Sequence, residues 1–190
     1  MAAGATLGII RREHAGLSAI LSSLRMLVRD AKLHLRAPDF RSMRAMLLYI
    51  EEFPERLHHV KETTMLFPCL RERAPQAHDV LARLDREHHE GPQRVRDLAH
   101  ALAAWEFLGE ARRPAFENAL GRYADFYSEH MRLEEAEVLP LAEKHLLETD
   151  WIALDRAFGA HRDALAGSAP EAPYEELFRL IVRITPARSC

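Results

Sequence analysis

The chain has 190 residues, a formal charge of −3, 48% hydrophobic and 29% charged residues, the proportions of one globular core with at most a short appendage. That charge, with no dense basic patch, excludes a nucleic-acid partner, and no apolar run is long enough to span a membrane. The first ten residues are too short for a secretory leader, and two cysteines, Cys69 and Cys190, exclude a disulfide framework and point to a reducing cytoplasm. Eleven histidines stand out against this background.

Few Gly, Val and Thr argue for helix over sheet. The first helix is expected over residues 6–36, where Ile10, His14, Leu17, Leu21, Leu24, Val28, Ala31 and Leu35 recur in steps of three and four, a bundle seam. Ala37-Pro38-Asp39 ends it, and Asp39 is suited to cap the next helix. The second helix runs to about residue 73, with kinks or breaks expected at Pro54 and Pro68. Pro75 opens a third, with Leu81, Leu84, His88, Val95, Leu98 and Leu102 inward and a bend or open hydrogen bonding at Gly91-Pro92. After a turn over 109–114, the fourth places Phe116, Leu120, Tyr123, Tyr127, His130, Glu134, Val138 and Leu141 inward. A shorter helix over 151–165, a Gly/Ser/Pro/Ala linker and a last helix over about 174–184 complete the chain. Short turns between four long helices predict an all-α, up-down-up-down four-helix bundle over residues 1–147, with 148–190 a C-terminal helical extension packed on it. Trp151, Phe158, Phe178 and Ile181 of that extension either cap the bundle or form the contact of a homodimer.

One stretch is repeated. His58 to Pro68 returns as His130 to Pro140 without a gap, so that His58 and His130, Glu62 and Glu134, and Pro68 and Pro140 are each 72 residues apart. Each copy carries His-x-x-x-Glu, which a helix puts on one face. The turns bring further residues to the same level. About Pro38, His14 lies 24 residues back while His58 and Glu62 lie 20 and 24 ahead. About Ala74, Glu62 and His58 lie 12 and 16 back and His88 14 ahead; about Arg112, His88 lies 24 back and His130 and Glu134 18 and 22 ahead. Taken singly, each histidine reads as a core residue with a hydrogen bond. Taken together, two carboxylates buried in one layer need counter-charge, which divalent cations supply and neutral imidazoles help to hold. His14, His58, Glu62, His88, His130 and Glu134 are therefore the predicted metal ligands. Six donors exceed one tetrahedral zinc and suit a dinuclear centre bridged by the carboxylates. The set is richer in nitrogen than the Glu-x-x-His di-iron bundles.

These motifs, Arg-Glu-His14, His58-x-x-x-Glu62 with Leu66-Phe67-Pro68, Arg-Glu-His88, and His130-x-x-x-Glu134 with Val138-Leu139-Pro140, resemble the hemerythrin-like, or HHE cation-binding, domain over about residues 7–147. The later helices are similar to the C-terminal extension of many bacterial members. The resemblance implies a left-handed bundle around two iron ions with an oxo or hydroxo bridge, zinc or another divalent metal being the alternative filling. It implies a protein that binds O2 or NO, or senses or handles iron. The alternatives are an enzyme that reduces peroxide or NO, and a structural or storage site. The oxygen-carrying members have a further histidine four residues after the third-helix ligand, where this chain has Pro92. That departure disfavours stable oxygen carriage and suggests ligand entry near Pro92. The donor set is also similar to that of bacterial iron–sulfur-cluster repair proteins. Their cysteine-bearing domain has no counterpart in this sequence, so that role does not carry over.

The remaining candidates have plainer readings. His59 and His89, about 100° around the helix from their neighbours, are expected outside the ligand set. His34 is about 30 Å along the helix from His14; His78, His100, His145 and His161 are surface or cap residues. Tyr127 lines the pocket or packs in the core, Glu55 is placed to orient His58, and Glu135 and Glu137 are solvated.

Overall fold

The computed structural model describes residues 5–160, 165 and 174–182; the linker, His161 and Cys190 lie outside them. All elements among the described residues are helical. Four antiparallel rods pack in a square, each against its two chain neighbours and the first against the fourth.

The first rod is α1 (Ala5–His34). It stops two residues short of the expected end, where Leu35 takes φ 48 and the Arg36 amide reaches back to the Ala31 carbonyl at 3.2 Å, closing the helix as a left-handed C-terminal turn does. The second rod starts with α2 (Phe40–Ile50), capped as expected by Asp39, which accepts from the Ser42 amide at 3.1 Å. The expected irregularities take the form of widened turns. Glu51–His58 is π-helical, α3 (His59–Lys61) is a single α turn, Glu62–Leu66 is π-helical again, and α4 (Phe67–Arg73) finishes the rod. The third rod is α5 (His78–Leu108). The fourth repeats the second, with α6 (Arg113–Leu133), a π turn at Glu134–Val138, and α7 (Leu139–His145).

Proline explains the wide turns. Its ring collides with the carbonyl four residues back and it has no N–H to donate. Bonds spanning five residues accompany them: Phe67 to Glu62 and Leu139 to Glu134, just ahead of Pro68 and Pro140, and His59 to the Pro54 carbonyl at the end of the first π segment. Pro68 and Pro140 then fall in the first turns of α4 and α7, where a missing donor costs least. On the third rod, α5 runs through Gly91-Pro92 as α-helix, with Pro92 unable to donate to the carbonyl one turn back.

Two apolar clusters flank a polar layer on every rod. One holds Leu17, Phe53, Val95 and Tyr127; the other holds Ile10, Leu66, Leu84 and Val138. His14, His58, Glu62, His88, His130 and Glu134 fall between them in sequence. Each fully buried Leu or Phe contributes on the order of 1.5–3 kcal/mol, so the layer is held from both sides. α8 (Glu148–Gly159) closes one end. Its Asp150 accepts from the Leu147 amide at 2.8 Å and from Arg73 at 3.0 Å, while Phe158 meets the His58 ring edge-on at 6.4 Å. α9 (Glu175–Val182) lays Phe178 against Tyr49 and Phe53. Trp151, Phe158, Phe178 and Ile181 are thus buried within the chain.

Candidate metal centre

The structure brings all six predicted residues into one buried layer. They form two overlapping groups, one of His14, His58, Glu62 and Glu134, the other of Glu62, His88, His130 and Glu134, and within each group one donor atom per residue lies within 4.8 Å of every other. Glu62 and Glu134, each 0% exposed, belong to both.

The spacings suit a shared ion. His14 Nε2 stands 3.1 Å from Glu134 Oε2, His58 Nε2 3.3 Å from Glu62 Oε2, and His130 Nε2 3.3 Å from Glu134 Oε1. His88 Nε2 is 3.2 Å from His130 Nε2 and 3.5 and 3.6 Å from Glu62 and Glu134. Two donors bound to one ion at about 2.0–2.1 Å stand roughly 2.9–3.4 Å apart. Among the described residues, His14 Nε2, His58 Nε2 and all four oxygens of Glu62 and Glu134 make no hydrogen bond of acceptable geometry despite full burial. Buried polar atoms are seldom left so; atoms aimed at a common centre rather than at one another are what a cation requires. The donor set fits a pair of cations.

The other ring nitrogen of each histidine is fixed from outside. Nδ1 of His14 meets Glu135 at 2.9 Å, that of His58 meets Glu13 at 2.6 Å, that of His88 meets Thr63 at 2.8 Å, and that of His130 meets Glu87 at 2.8 Å. Such partners select the tautomer with Nε2 free and hold the ring in place. Glu135 is thus a His14 partner although largely exposed; Glu137 is simply exposed. Glu13 and Glu87 were legible only as the middle residues of the two Arg-Glu-His triplets, each of which serves the histidine of another rod.

The electrostatics reflect burial and crowding. Burial and the Glu134 charge hold the Glu62 carboxyl well above the ordinary range. Burial alone would raise Glu134, but His130, His14 and His88 draw it well below. Burial likewise lowers His58 and His88. At His130 it is outweighed by Glu134 and Glu87, which raise it to about 9. Two carboxyls this close do not both ionise easily, so the charge on one raises the other.

His59 is buried, 4% exposed, with its ring face to face with that of His88 at 4.3 Å and 15°; only His89 is exposed. Glu55 orients His59 rather than His58, with Nδ1 of His59 3.2 Å from Glu55 Oε2. Glu55 also accepts from Tyr127 and, at 3.2 Å, from Tyr123, and burial raises its carboxyl to about 7. An apolar cavity of about 20 Å³, lined by Leu17, Phe53, Leu57, His14, His58 and His59 among others, has room for one water-sized molecule. It lies on the His14/His58 side, and Pro92 is not part of its wall.

The family model for the hemerythrin HHE cation binding domain matches residues 5–142. No curated protein and no solved structure matches the chain. No described helix is long and apolar enough to cross a membrane.

Proposed function

The chain belongs to the hemerythrin HHE cation-binding family, and from that membership and the donor geometry we propose that it holds two iron ions and binds a small diatomic ligand, O2 or NO, beside them. His14 and His58 would hold one ion, His88 and His130 the other, with Glu62 and Glu134 shared. The observation that carries this is the pair of four-donor groups with both carboxylates in common. Residues 1–147 form the metal-binding unit and 148–190 its extension. Iron held there would supply a redox-active Lewis acid.

The chain's own residues set the conditions around it. The carboxylates neutralise cationic charge in a layer closed by two apolar clusters. The Nδ1 partners keep four imidazoles oriented through changes of metal charge. The cavity beside His14 and His58 matches the size of a diatomic molecule and offers it an apolar surround of Leu17, Phe53 and Leu57.

The test is anaerobic loading with ferrous iron, with absorption spectra recorded before and after adding NO or air. The proposal expects a new charge-transfer band saturating at a fixed ratio of ligand to iron. Loaded protein whose spectrum is unchanged by either gas would overturn ligand binding. Sustained consumption of NO or peroxide with a reductant would replace binding by catalysis at the same centre.

A further inference from the structure

We infer that His59 is a fifth nitrogen donor, belonging to the cation position of His88 and His130. This inference rests on the dinuclear reading above and adds a residue to it. One nitrogen each of His59, His88 and His130 lies within 4.8 Å of the others. The His59 ring stacks on His88 and lies edge-on to His130, with centroids 5.2 Å apart at 67°.

His59 also carries the mark of the other four ligands. Each has Nδ1 engaged by an oxygen from outside the layer, and His59 has Glu55 in that place. With Nδ1 so engaged, Nε2 is the nitrogen left to donate a lone pair.

Local backbone explains how two adjacent residues serve one layer. In a regular α-helix His59 would point about 100° away from His58. Here the π-helical segment Glu51–His58 ends at that junction, and the extra residue in the turn redirects the side chains beyond it. On the third rod, the position one turn beyond His88 is Pro92, which has no donor atom. Its neighbour Gly91 has no side chain either, and a Cβ there would come within 2.3 Å of Glu55 Oε2 and 2.5 Å of Tyr127 Oη. The third rod therefore gives up side-chain space where Glu55, the anchor of His59, is seated. The second rod supplies the nitrogen that the third does not.

The experiment is cobalt(II) titration of the full chain and of His59→Gln, with paramagnetic proton NMR of the loaded proteins in water. Every imidazole bound through Nε2 contributes one strongly shifted, exchangeable Nδ1–H signal. The inference expects five such signals in the wild type and four in His59→Gln. It also expects the second cobalt to dissociate at least tenfold more readily from the variant, the first being little affected. Four signals in the wild type overturn it even if the variant fails to fold. So does an unchanged count in a folded His59→Gln with cobalt affinity within twofold of wild type. A wild-type chain that takes up no cobalt would instead overturn the metal centre as a whole.

Discussion

Glu13 accepts a hydrogen bond from Nδ1 of His58 at 2.6 Å, and Glu87 stands to His130 in the same way at 2.8 Å. Both glutamates precede a histidine of the layer, so each Arg-Glu-His triplet gives one ligand to its own rod's level and one anchor to another rod. The first prediction concerns this exchange. Glu13→Gln and Glu87→Gln should each weaken cation binding by roughly 10- to 100-fold, the usual cost of losing a ligand's outer partner, without abolishing it. Competition with a chelator measures this; affinities unchanged in both variants would show that the anchors do not matter.

Glu62 and Glu134 predict a reversal of sign. Two facing carboxyls with 0% exposure oppose folding unless positive charge is present. Glu62→Gln should therefore stabilise the chelator-treated protein, by about 1–3 kcal/mol, and destabilise the protein in excess ferrous iron relative to wild type. Thermal melts under both conditions distinguish this from ordinary damage, which would lower both.

Gly91 predicts a steric cost. Alanine there would gain about 1 kcal/mol of helix propensity, but its Cβ would sit 2.3 Å from Glu55 Oε2 and 2.9 Å from Glu55 Cδ. That carboxylate is held by Tyr127, Tyr123 and His59 and has little freedom to retreat. Overpacking of this kind costs roughly 1–3 kcal/mol, so Gly91→Ala should be net destabilised by about 1 kcal/mol in urea unfolding. A stabilised variant would mean that the Glu55 cluster is loosely packed.

Much of this was legible in the sequence because the signals were periodic. The two His-x-x-x-Glu copies and the residue counts about each turn sufficed to bring six donors to one level, since antiparallel rods joined by short turns leave little freedom of register. Asp39 was readable as a cap for the same local reason. Features that depended on departures from α geometry were not legible. His59 was expected about 100° from the ligand face of a regular helix, and its stacking on His88 follows a π-helical segment that no residue pattern announced. The proline effect was visible at Pro54 and Pro68, but its form, a widened turn rather than a kink, was not. Pro92 shows the converse, a proline that α5 absorbs without a break. Thr63 as the partner of His88 had no signal, being a contact between rods that only packing determines.

Leu35 offers a test of the fold away from the site. It is 94% exposed and adopts φ 48, a conformation that costs an L side chain about 1–2 kcal/mol. Leu35→Gly should stabilise the protein by about 0.5–1 kcal/mol, the relief being partly offset by the greater freedom of glycine in the unfolded chain. Urea midpoints measure it, and a destabilised variant would mean that α1 does not end there.

The central claim is that two cations share Glu62 and Glu134, and the most direct measurement is native mass spectrometry of the full chain loaded anaerobically with ferrous iron. The account predicts two irons per chain, with the two-iron species depleted in His58→Ala and Glu62→Ala. A chain that stops at one iron, or full two-iron occupancy in both variants, would contradict it.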